Sequence, residues 1–167
     1  MDLLIYVIIM FASFLGLIIG VILSNIAIEE ISHASVYLKY LNIIIVPTII
    51  LVATFKINII YSIIFTSVAG ILIVLVREKY NDAWTYSCMG ALLYISTLSD
   101  ETLNIAMLIC IYGMSIATIN ANNHFKKKIN EQIKFSENVS LIKKMLGKYS
   151  LFLIVGMMFY VTFSYIL

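Results

Sequence analysis

Glu29 and Glu30 stand four and three residues before His33, one of only two histidines in the chain. On a helix both spacings bring side chains to one face. Glu-x-x-His is also the spacing by which helical bundles build carboxylate-bridged metal sites. Such a site needs further ligands. The other histidine, His124, lies in a lysine-rich segment. The span count below puts it on the same side of the membrane, so a surface metal site from Glu29, Glu30, His33 and His124 is geometrically allowed. A simpler reading accounts for more. The two carboxylates mark where a long apolar helix meets water. Negative charge is mildly unfavourable at a helix C-terminal end, so a cation partner is expected from Lys39 or the lysines of the segment near His124. No metal, cofactor or catalytic residue is therefore expected. The chain also carries no G-x-S-x-G, no H-E-x-x-H and no glycine-rich phosphate loop.

The elements that must position these residues are membrane helices. The 167 residues are 62% hydrophobic and 12% charged, against about 25% charged in soluble domains. A soluble fold of this composition would expose large apolar patches. Crossing the hydrocarbon core takes about 20 apolar residues. The sequence predicts an all-α, polytopic bundle of six transmembrane helices in one integral membrane domain covering 1–167. The spans fall at about 3–26, 37–55, 57–76, 83–98, 102–120 and 149–167. The first is expected to be retained, because its flank is acidic and it is too long for a signal-peptide core. Residues 121–148 form a basic cytoplasmic loop between the fifth and sixth helices.

Six spans sort the charges. Lys56 is the sole Lys or Arg on the side holding both termini, while the other side holds ten. The positive-inside rule then places the ten in the cytoplasm and both termini outside the cell membrane. Seven of them, Lys126, Lys127, Lys128, Lys134, Lys143, Lys144 and Lys148, share the long loop. Val139, Ile142, Met145 and Leu146 form an apolar face beside them. The loop thus reads as amphipathic helix on the inner leaflet, drawn by anionic lipids. Nucleic acid is not an expected partner.

Within lipid, helices associate by close packing instead of by apolar transfer. Ala12, Gly16, Gly20 and Ser24 repeat small residues at intervals of four, and Gly113, Ala117 and Ala121 do the same in the fifth span. These are packing seams, joining either helices of one chain or two copies. Cys88 and Cys110 fall in apolar runs and read as buried thiols. Pro47 is the only proline and lies inside the second span, where a bend is expected and Thr48 can help satisfy the freed carbonyl. No Asp, Glu, Lys or Arg lies near the centre of a span, as a proton-coupled carrier would need. Thr85, Ser87, Tyr94, Ser96 and Thr97 could line a neutral-solute path, with bonds between helices as the plainer use.

Three stretches, "AIEEISHASVYLKYL", "LLYISTLSDETL" and "LICIYGMSIATI", resemble small multi-pass membrane proteins of archaea that have no assigned activity. Glu29, Glu30 and Tyr37 match that pattern, and Ala34 stands where it has glycine. The resemblance implies a prokaryotic plasma membrane and brings neither a substrate nor catalytic residues. The expected role is a non-enzymatic scaffold or accessory subunit of a membrane assembly, with a membrane-protein partner or a second copy. A small transporter or channel for a neutral solute is the alternative.

Overall fold

The computed structural model describes residues 2–26, 28–55, 63, 66–68, 82–125 and 135–164. Among them the chain is helical and has no strand. The elements are α1 (Leu3–Ile26), α2 (Ile28–Phe55), α3 (Asp82–Thr97), α4 (Thr102–Phe125), α5 (Phe135–Tyr149) and α6 (Leu151–Ser164). Residues 63 and 66–68 are helical too. The expected third span, 57–76, otherwise lies outside the described residues. So do Lys56, Arg77, Lys79, Lys126, Lys127, Lys128 and Lys134.

Among the described residues four stretches are long and apolar enough to cross a membrane: Leu3–Ile26, His33–Phe55, Thr102–His124 and Val139–Thr162. Their β-branched isoleucines and valines are poor helix formers in water. In hydrocarbon each backbone N–H and C=O must be satisfied within its own segment, which makes the helix the available answer. Their outer surfaces agree with that solvent. Leu4, Ile26, Tyr37, Ile44, Leu103, Met107 and Met158 are all more than 60% exposed.

α4 is the hub. It packs most extensively on α1, then on α2, and it also touches α3. α3 packs chiefly on α6. The directions follow from who meets whom. Gly16 and Gly20 of α1 meet Cys110 and Met114 of α4, so these two helices run parallel. Phe14 stacks on Phe152, while Tyr6 donates a hydrogen bond to the Gly156 carbonyl, so α6 runs against α1. Tyr94 meets Tyr6, while Tyr86 meets Phe14, so α3 also runs against α1. Ser115 of α4 donates to the Leu38 carbonyl, and Phe55 lies near Glu101, so α2 runs against α4.

Several boundaries differ from expectation. α2 begins at Ile28, with one residue between it and the end of α1. Glu29 and Glu30 therefore occupy the first turn of α2, not a wet loop after α1. Negative charge is favoured at that position, so the expected need for a lysine partner disappears. α4 runs to Phe125, beyond the expected end at 120. The second half of the expected loop is helix α5, separated from α6 only by a turn at Ser150. Leu141, Met145 and Tyr149 fall at intervals of four, and all three are buried. α5 packs on α1 and α3, and Tyr149 also meets Asn120 of α4. Of the apolar face that read as lipid-seeking, Met145 is buried, Ile142 and Leu146 are partly buried and Val139 is exposed. A local pattern specifies an apolar face and not its partner.

α3 and α4 form a tight hairpin. Asp100 adopts a left-handed φ of 57°, a conformation Asp tolerates better than most residues. It lets the Glu101 N–H reach back to the Ser96 carbonyl at 3.3 Å, and the Glu101 carbonyl accepts the first α4 bond, from Ile105 at 3.0 Å. Pro47 lies within a continuous α2. Thr48 Oγ1 donates to the Ile44 carbonyl at 2.8 Å. The carbonyl that proline frees belongs to Ile43, so Thr48 does not satisfy it.

Candidate functional site: a glycine seam and its polar end

The α1–α4 contact is built on backbone. A methyl group at Gly16 would collide with the Cys110 carbonyl. One at Gly20 would collide with the Met114 carbonyl and stand 2.8 Å from the Ala117 methyl. Only glycine leaves room for that approach. Thr118 Oγ1 then donates across the seam to the Gly20 carbonyl at 3.0 Å. Gly113 faces the Tyr86 ring, with a would-be methyl 3.0 Å from the hydroxyl oxygen. Ala117, Ala121 and Ser24 are fully buried. Ala12 is exposed and takes no place in the seam; its neighbour Ser13 is buried instead, bonded back to the Ile9 carbonyl at 2.9 Å. A strict interval of four drifts around a helix of 3.6 residues per turn, so the first member rotates out of the contact.

One turn beyond Gly20 and Thr118 lie Ser24 and Asn122, both at least 99% buried. Among the described residues Ser24 Oγ and Asn122 Oδ1 have no hydrogen-bond partner. A helical serine commonly bonds back to the carbonyl four residues earlier. For Ser24 that is Gly20, whose carbonyl already accepts from Thr118.

The α3–α6 side is aromatic. Tyr6 stacks on Tyr160 at 4.7 Å between ring centroids and meets Tyr94 edge-on at 6.5 Å. Two turns further along α1, Phe14 and Phe152 stack at 6.0 Å. Tyr86 lies against Phe152 at 5.0 Å, Tyr149 at 5.4 Å and Tyr112 at 6.2 Å. Tyr6, Tyr86, Tyr112 and Tyr149 are almost completely buried. Sequence reasoning missed this column. Its signal was the eleven tyrosines of the chain, which read as hydroxyls for scattered bonds because their faces could not be assigned to one axis.

The column ends at water. Asn120 Nδ2 donates to the Tyr149 hydroxyl at 3.2 Å. Lys148 Nζ lies 5.1 Å from the Tyr149 ring centroid. Asp82, first residue of α3, is close enough to feel Lys148. Burial pushes the Asp82 carboxyl up from its ordinary range, and the lysine partly opposes that.

The four candidate metal residues are not gathered into a ligand set among the described residues. Glu30, His33 and His124 are exposed, and Glu29 sits in the first turn of α2. Among the described residues no three His, Cys, Asp or Glu form a group. Lys143, Lys144 and Lys148 are exposed on α5. Cys88 is exposed, contrary to expectation, and Cys110 is half-buried beside Gly16. Three α3 hydroxyls turn back on their own helix: Ser87 to Ala83 at 2.8 Å, Ser96 to Leu93 at 2.6 Å and Thr97 to Tyr94 at 2.7 Å. No family model matches the chain, and neither a curated protein nor a solved structure matches it.

Proposed function

We propose that this chain is a six-pass protein of the cell membrane, acting as a non-enzymatic scaffold or accessory subunit of a membrane assembly. One observation carries the reading. The buried side chains among the described residues are apolar, aromatic or neutral polar, with no Asp, Glu, Lys, Arg or His. Charge inside a membrane is costly and kept for transport or proton work. An interior filled by Tyr6, Met10, Phe14, Tyr86, Leu93, Tyr112 and Phe152 suits a rigid body that presents its outside to others.

Helix direction supports six crossings. α2 ends beside Glu101, at the end of the bundle where α1 begins. α3 begins at the opposite end, beside Lys148 and Tyr149. Consecutive helices α2 and α3 thus point the same way, and residues 56–81 connect opposite ends. That stretch is long enough for one more span. With the third crossing restored, the ten basic residues fall on one side, which the positive-inside rule places in the cytoplasm with both termini outside. The exposed lysines of α5 would meet anionic headgroups there.

Native extraction followed by mass measurement tests the role: a partner or second copy at fixed stoichiometry supports it. Passage of neutral solutes through proteoliposomes of the pure chain would overturn it and favour a transporter. Orientation has a separate test. Single cysteines at Asp2, Lys56 and Asp100, without Cys88 and Cys110, should react with an impermeant thiol reagent from outside intact cells. Cysteines at Lys79 and Lys127 should not.

A further inference from the structure

The seam between α1 and α4 ends in oxygen atoms. Gly16 and Gly20 bring the two backbones together, and Thr118 Oγ1 donates across to the Gly20 carbonyl. The helices run parallel, so four residues further along each is one turn, about 6 Å in the same direction. The register that seats Thr118 on Gly20 therefore brings Asn122 level with Ser24. Both residues are at least 99% buried. Among the described residues neither Ser24 Oγ nor Asn122 Oδ1 has a partner. A buried polar atom left bare costs more than an ordinary hydrogen bond returns. The fully buried neighbours on α4 are Ala117 and Ala121, which have no donor to offer and fill little of the space between two helices.

We propose that one water molecule is bound here, bridging Ser24 and Asn122 and closing the end of the seam. Asn122 Oδ1 can only accept, so the water donates to it. Ser24 Oγ both donates and accepts, so it meets the same water in either sense. Buried waters take about two to four bonds from groups the protein leaves bare. The chemistry favours water over a cation. A hard cation takes about six or more oxygens and a counter-charge, and no Asp or Glu is among the buried side chains of the described residues. The inference is independent of the scaffold role and of the number of membrane crossings.

Thermal unfolding of the full chain in mild detergent tests it, with Ser24→Ala, Asn122→Leu and the double variant. A water with one partner is lost, so each single change strands the other oxygen and should lower Tm by about 3–6 °C. The double change strands nothing and should return Tm to within about 2 °C of the parent. Two bare oxygens without a water would reverse the sign: each single change would raise Tm, and the rises would add. Losses that simply add would mean the two oxygens share no ligand. Either result overturns the proposal. A structure at water-resolving resolution should show one water about 2.8 Å from both oxygens. Ser24 Oγ bonded directly to the Asn122 side chain would overturn it. So would a Tm that falls when sodium is replaced by choline at equal ionic strength, because the occupant would then be a cation.

Discussion

α1 and α2 follow each other in the chain with one residue between them, both long, apolar and helical. They are held in different ways. α1 buries 44% of its most apolar stretch and α2 22%. α1 brings Gly16 and Gly20 onto the backbone of α4. α2 has no glycine; it packs on α4 and its buried apolar residues are Ile45, Val46, Ile49 and Ala53. In water the two faces would gain comparable transfer energy. In lipid that gain vanishes, because tails are as apolar as leucine. What remains is dispersion and hydrogen bonding, both of which grow as backbones approach. Small residues, not large ones, therefore mark the strong contact.

The comparison is broken hardest at the seam. Gly16→Leu should cost about 3 kcal/mol, the upper range for overpacking, since the listening partner is a rigid carbonyl. Ala12→Leu, one turn earlier and exposed, should stay within about 0.5 kcal/mol. Thermal unfolding in mild detergent reads both, and equal losses would deny the seam its special place. In α2, Ile49→Ala should cost about 2 kcal/mol, the cavity term without the transfer term. A loss above that of Gly16→Leu would reverse the ranking of the two helices.

Thr118→Val tests the polar part of the seam. It removes the bond to Gly20 and frees that carbonyl for Ser24. The expected loss is about 0.6 kcal/mol, typical of hydrogen bonds between membrane helices. A gain in stability would mean the unpartnered Ser24 hydroxyl outweighs the lost bond.

The smallest effect lies where the packed block meets water. Burial raises the folded-state pKa of Asp82, so its ionisation is harder in the folded chain than in the unfolded one. The folded state is favoured while the group is protonated, and that contribution fades as pH rises from the ordinary carboxyl range through the raised value. Asp82→Asn should therefore gain thermal stability relative to the parent as pH moves from 4 toward 7. A difference that shrinks over this range would mean attraction to Lys148 dominates instead.

Some of this architecture was legible beforehand. Low charge and long apolar runs pointed to membrane helices, because burying backbone in hydrocarbon leaves few alternatives. Gly16, Gly20, Gly113 and Ala117 stood out by type and spacing. Their pairing did not, since a small residue announces that something comes close without naming it. Glu29 and Glu30 were placed after α1 because polarity locates a boundary but not the helix that owns it. The α5 face was legible as apolar, but not that Met145 would be buried while Val139 stayed exposed, because an apolar face reads alike whether lipid or protein covers it.

By itself, the sequence determined the solvent and the elements: helices, an apolar exterior, and charges kept to the ends. These follow from local composition and from the cost of bare backbone in lipid. Tertiary structure alone decided that α1 runs beside α4 instead of α2. It also gathered six tyrosines into one column and, among the described residues, left Ser24 Oγ and Asn122 Oδ1 buried without a partner. Those outcomes depend on register and on competition between helices for the same faces and carbonyls, and such competition exists only once the helices have met.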